Sequence, residues 1–186
     1  MVSIGALWLP ILLSAVLVFV ASSIIHMVFK YHQADYRQLP DEEAARAVLG
    51  KQDLRPGQYV IPYCRDMKEM QQPNMIRKLE EGPVAFLTVR PKGQPGMGKY
   101  LVQWFLFSVG LSIFVAYLTG RALPAGTEYL QVFRIAGTAA WLGYSGAVVW
   151  GGIWKAAPWS SVGRDVFDGL VYALLTAGAF GAFWPR

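Results

Sequence analysis

The chain of 186 residues holds one cysteine, Cys64, only two histidines and few charges. A single cysteine excludes a disulfide scaffold. Charged residues make up 16% and hydrophobic ones 54%, whereas a soluble globular domain carries about 25% charged residues. With a mean hydropathy of +0.33, this balance excludes an ordinary soluble enzyme and a disordered tail. The sequence also contains no CxxC pair, no HExxH and no GxSxG, so the common zinc and nucleophile constellations have no counterpart. The charges that do occur are concentrated. Between Lys30 and Lys99 lie 12 of the 17 Lys/Arg and 9 of the 12 Asp/Glu.

What is left is long and apolar. A membrane-spanning helix needs about 20 mostly apolar residues, and four segments qualify: Ile4 to Phe29, Tyr100 to Leu123, Tyr129 to Trp154 and Val166 to Trp184. The first lacks a basic leader and is too long for the apolar core of a cleavable signal, so it reads as a retained helix. Pro10 falls in its first two turns, where proline does least damage. The fold class that follows is a mainly α membrane protein. It has four transmembrane helices and a small α+β cytoplasmic insertion between helices one and two. The expected divisions are 1–32, the first helix; 33–99, the insertion; and 100–186, a three-helix transmembrane unit.

Lys30, Arg37, Arg46, Arg90, Lys92, Lys99, Lys155 and Arg164 fall on one side of this arrangement, against Arg121, Arg134 and Arg186 on the other. Lys/Arg bias places the richer side in the cytoplasm, with both termini outside. Trp8, Trp104, Trp154, Trp159 and Trp184 lie near the expected helix ends, as interfacial aromatics do. The net charge of +5 is then positive-inside bias and attraction to anionic lipid, and no nucleic-acid partner is expected.

Within the insertion, Pro40 and the acids Asp41 to Glu43 mark a helix start, with Gly50 at its end. Gln58 to Tyr63 and Pro83 to Arg90 read as strands. Asp66 and Glu69 have capping-box spacing, Pro73 interrupts the helix they start, and a further turn or two runs to Glu81. So short a unit buries little core alone, which predicts that it leans on a membrane face or a partner.

Two four-residue ladders of small side chains stand out: Ala139, Gly143, Ala147 and Gly151 on helix three, and Gly169, Ala173, Ala177 and Gly181 on helix four. Such stripes let helix backbones approach closely in lipid. Ser14, Ser22 and His26 form a polar stripe on helix one, and helix two offers Ser108 and Ser112.

His26 and Arg134 are the intramembrane polar candidates. For His26 the functional uses are proton relay and metal ligation, against a plain hydrogen bond to a neighbouring helix; for Arg134 the alternative is snorkelling to the interface. On a continuous helix, His32 sits well off the face of His26, so the two are not expected to meet, nor to hold a haem between them. Asp165 and Asp168 read as carboxylates near a helix start, with Arg164 and Asp168 as an i,i+4 pair. Cys64, Met67 and Met70, followed by Met75, form a sulfur cluster that suits Cu(I); core packing is the alternative. Gly93 to Lys99, G-Q-P-G-M-G-K, matches half of a phosphate-binding loop, but Tyr100 replaces the hydroxyl residue that would hold Mg²⁺. No cofactor is predicted.

The stretches Tyr31 to Ala45, Pro56 to Cys64, Glu80 to Pro91 and Asp168 to Gly178 resemble bacterial multi-pass inner-membrane proteins that carry no assigned activity. The resemblance implies a bacterial inner-membrane location and transfers no site residue. The expected function is therefore a non-catalytic accessory or assembly protein that docks a partner through its cytoplasmic domain. A small oligomeric transporter or channel, or a membrane metal-handling protein, are the alternatives, and a homo-oligomer is an alternative to a foreign partner.

Overall fold

The computed structural model describes residues 1–186. The chain divides into two compact units, one made of Met1–Arg37 with Gly96–Arg186, the other of Gln38–Pro95.

The first unit is a four-helix bundle. A 3₁₀ turn, Ile4–Leu7, leads into α1, Trp8–Ile24. The Ser3 hydroxyl accepts from the Ala6 N–H and satisfies one of the free donors at this end. The helix then widens into a π turn, Ile25–Phe29. Lys30 follows at φ +54°, a left-handed conformation that stops the helix, and a 3₁₀ turn covers Tyr31–Asp35. The remaining helices are α5, Met97–Ala122; α6, Tyr129–Trp154; and α7, Trp159–Ala182. α7 starts at Trp159 rather than at the expected Val166. Ser160, Ser161, Gly163 and Arg164 dilute the apolar run there, but Pro158 just before the first turn suits a helix start.

Successive helices of the bundle run antiparallel. α1 meets α5 through Val2 N–H to the Gly120 carbonyl (2.9 Å), Ser14 to Ser112 (2.9 Å) and Trp104 Nε1–H to Ser22 Oγ (2.8 Å). Ser14 donates to the Ile11 carbonyl, so Ser112 is the donor between the two serines. α6 and α7 form the most extensive pair, and Tyr172 of α7 packs with Val18 of α1 and Ile25 of the π turn. The interior is small and partly polar: Ala15, Ala116, Ala136, Ala140, Ser14, Ser108, Ser112, Thr119 and Thr176 are all inaccessible to solvent. The outside is apolar, with Leu9, Leu12, Val16 and Val20 exposed along one face of α1, and Leu106, Phe114, Leu118, Leu170 and Leu174 exposed on α5 and α7.

Three helical segments are long and apolar enough to cross a membrane: Ile4–Phe29, Met97–Ala122 and Trp159–Ala182. α6 spans 26 residues, as α5 does, but is not among these three, so three of the four expected spans are found long and apolar enough. Gln131, Arg134, Thr138 and a high share of Gly, Tyr and Trp lower the apolarity of α6. Trp184 departs from the expectation of an interfacial aromatic: it is buried, and its Nε1–H donates to the Pro124 carbonyl at 2.9 Å.

The second unit holds α2, Glu42–Gly50; β1, Gly57–Ile61; α3, Met67–Met70; α4, Pro73–Glu81; and β2, Ala85–Val89. Asp41 caps α2 by accepting from Ala44 N–H, so Pro40 lies before the helix instead of in its first turn. Asp66 caps α3, and Glu69 reaches back to the Arg65 N–H, one residue earlier than in the standard capping box. Pro73 opens α4. β1 and β2 pair antiparallel from Gly57 with Val89 to Ile61 with Ala85. Met75 is the one buried side chain of this unit.

Candidate functional site

The break after Phe29 decides the site. Because Lys30 turns the chain back, His26 and His32 do not sit on opposite sides of one helix; their rings lie 4.6 Å apart. This overturns the expectation from helical spacing, which holds only if the helix continues. The Tyr31–Asp35 turn lies against α7, and there Tyr31, His32 and Asp35 meet Arg164, Asp165 and Asp168.

Asp168 is the centre. It is buried about two and a half turns inside α7, so the helix-dipole reading of its position fails along with the later helix start. Tyr31 Oη–H donates to its Oδ1. His32 Nε2 lies 2.8 Å from its Oδ2, and the other ring nitrogen, Nδ1, lies 2.6 Å from Asp35 Oδ2. With both carboxylates ionised and accepting, the two bonds call for a proton on each ring nitrogen, the imidazolium form of His32. Asp35 is held in turn by Arg164, whose Nε donates at 2.8 Å. The expected Arg164–Asp168 pair is therefore replaced by Arg164–Asp35, a bond across the bundle. Asp165 Oδ1 lies 3.8 Å from His32 Nδ1.

The titrations outside the helices follow this geometry. Burial alone would lower His32, but its hydrogen bonds to Asp35 and Asp168 and the charges of both outweigh it and raise the ring above 6.5. Burial would likewise raise Asp35; the nearby Ser161 hydroxyl, His32 and Arg164 prevail and hold it at about 2. The Tyr31 phenol is pushed up by burial, then by its bond to Asp168 and the charges of Asp168 and Asp165.

His26 reaches the same centre without joining the hydrogen-bond chain. Its Nε2 is 3.9 Å from Asp168 Oδ2, too long for a hydrogen bond, and its side chain is 50% exposed where that of Asp168 is 5%. One ligand atom from each of His26, His32 and Asp168 lies within 4.8 Å of the other two.

The other sequence candidates lie elsewhere. Arg134 is on an exposed face of α6, in a shallow groove with Phe133, Trp141 and Leu174. Cys64 donates weakly to the Asp66 carbonyl, Met67 and Met70 are exposed, and Met75 is buried. The small-residue ladder of α7 faces α6: a Cβ at Gly169 would overlap Ser145, one at Gly181 would lie 2.6 Å from the Tyr129 ring, and Ala177 Cβ lies 3.0 Å from the Cβ position of Gly137. The ladder of α6 points differently. A Cβ at Gly143 would meet Leu111 of α5 at 2.7 Å, Ala147 is exposed and Gly151 faces open space.

Sequence reasoning singled out His26 and passed over Tyr31, His32, Asp35 and Asp168 as a group. The signals present were the i,i+3 spacing of His32 and Asp35 and three charged residues in five positions from Arg164 to Asp168. Comparison of the chain with family models, with curated proteins and with solved structures finds no match.

Proposed function

We propose that the chain is a non-catalytic accessory protein of the bacterial inner membrane that docks a protein partner through residues 38–95. The carrying observation is the make-up of that unit: it buries only Met75 while Val60, Ile61, Ile76, Val84 and Phe86 stay exposed. A unit with so little core of its own gains stability when a partner covers its apolar side chains.

On this reading α6 is the fourth span. It packs antiparallel between α5 and α7 and matches their length, so it crosses the same slab. Its weaker apolarity is tolerated because Ala136, Ala140 and Ser145 face the bundle interior. The Lys/Arg distribution puts both termini outside and residues 38–95 in the cytoplasm. The bond network of Tyr31, His32 and Asp35 with α7 fixes the point from which this segment leaves the bundle. Transport through one chain is disfavoured, because Val115, Val132, Ala136 and Phe180 fill the interior.

The test uses Cys64, the sole thiol, as the attachment point of a membrane-impermeant photo-crosslinker. Reaction in permeabilised cells only, followed by one defined adduct to a different protein, is the expected result. Reaction in intact cells overturns the orientation. Adducts to lipid or to a second copy alone overturn the docking role.

A further inference from the structure

We infer that His26, His32 and Asp168 form a binding site for one divalent first-row transition-metal ion, of the class of Zn²⁺, Fe²⁺ and Co²⁺. The inference does not rest on the docking role.

Three donors converge from three elements: His26 from the π turn, His32 from the 3₁₀ turn that follows it, and Asp168 from α7, far away in sequence. His32 Nε2 is 2.8 Å and His26 Nε2 is 3.9 Å from the same oxygen, Asp168 Oδ2. All three donor atoms lie within 4.8 Å of one another. Metal bonds of about 2.0–2.2 Å place neighbouring ligand atoms of a tetrahedral site about 3.3 Å apart. His32 would move out slightly, giving up its Nε2 proton to solvent, and His26 would move in. A half-exposed side chain has the freedom to do so.

The surroundings are those of a ligand set rather than of an ion pair alone. A metal-bound histidine usually donates its second N–H to a carboxylate, which fixes the tautomer and the ring. His32 has that partner: Nδ1 is held by Asp35 at 2.6 Å, and Arg164 holds Asp35. Tyr31 occupies Asp168 Oδ1, leaving Oδ2 for an ion. The His32–Asp168–Tyr31 network is complete without His26. That a second imidazole sits with its ring 4.6 Å from the first, facing the same oxygen but unbonded, is left unexplained by a structural clamp and explained by a third ligand. The exposed side of His26 leaves an entry path and an open coordination position.

The donor set selects the ion. Two imidazoles with one carboxylate suit Zn²⁺ and Fe²⁺. Ca²⁺ and Mg²⁺ prefer all-oxygen shells, and Cu(I) prefers sulfur.

The experiment titrates the full chain, purified in mild detergent and stripped with chelator, with Co²⁺ followed by its visible absorption, and then with Zn²⁺ as competitor. Wild type is expected to saturate at one ion per chain, and Zn²⁺ to bleach the cobalt bands. His26→Gln, at a half-exposed ring that makes no hydrogen bond, retains the fold and weakens binding at least tenfold. Asp35→Asn keeps the stoichiometry and weakens binding about 10–100-fold, as loss of an outer carboxylate partner does. Cys64→Ser titrates like wild type. A wild-type protein with no cobalt bands at millimolar ion, or a His26→Gln protein that titrates unchanged, overturns the site. So does binding that disappears in Cys64→Ser.

Discussion

The bundle and the 38–95 unit both display apolar side chains but hold their elements together in different ways. The bundle buries serine, threonine and alanine beside a few larger groups such as Val115, Val132 and Phe180, and displays many leucine, valine and phenylalanine side chains. Three of its helices are long and apolar enough to cross a membrane; lipid would solvate such apolar side chains, leaving close backbone approach and hydrogen bonds such as Ser14–Ser112 to hold the helices together. The 38–95 unit displays charges and apolar groups together and holds its elements by local devices: the Asp41 and Asp66 caps, Pro73 and one strand pair. One region is specified by packing across the chain, the other by short-range rules.

That contrast is open to breaking. The largest effect is expected at Gly169, where any side chain would drive α7 off Ser145 and Tyr144. Gly169→Leu should destabilise the bundle by at least about 3 kcal/mol, the upper end of ordinary overpacking. Gly151→Leu, facing open space, should leave melting in detergent unchanged. Equal effects at the two positions would mean that backbone approach does not hold the helices.

A smaller effect concerns the polar network of the bundle end. His32 titrates above its unfolded value of 6.5, so its contribution is complete below about 6.5 and fades as pH rises through the raised value. Asp35 titrates below its unfolded value of 3.8, at about 2, so its contribution is complete above about 3.8 and fades on acidification toward about 2. Bundle stability is therefore expected to peak between about 4 and 6.5. Thermal melts across pH should show that window in wild type and a flattened alkaline limb in His32→Gln. An unchanged alkaline limb in the variant would remove His32 from the account.

The smallest effect is Ser14→Ala, which removes one interhelical hydrogen bond. Its expected cost is about 0.6–2 kcal/mol, measured by the same melts. A cost well above that range would mean that polar bonds, more than packing, hold α1 to α5.

These differences also explain what was legible beforehand. Long runs with few or no charges announced the bundle helices, since a membrane span demands length and apolarity together. The strands and the α3 and α4 starts of the second unit were legible because caps and prolines act within a few residues. The start of α7 was not, because its first turns carry Ser160, Ser161 and Arg164 and break the apolar run before the helix itself ends. The His26–His32–Asp168 grouping was hidden for a different reason. It depends on a π turn and on a lysine in the left-handed region, and neither has a sequence signature. His26 stood out as an ionisable group in the polar stripe of an otherwise apolar helix, but the residues that give it meaning arrive from beyond the break and from α7. The α7 ladder was readable as a packing face, whereas the direction of the α6 ladder depends on which neighbour Leu111 reaches.

The bond between Asp35 and Arg164 also sets how force passes through the molecule. Arg37 is the last bundle residue before the 38–95 segment. Tension on the chain at that point meets Asp35 two residues earlier, where Arg164, His32 and Asp168 give it a second route, into α7, beside the covalent one into α1. The first helix thus shares its tether with the last, which has no direct covalent link to the segment.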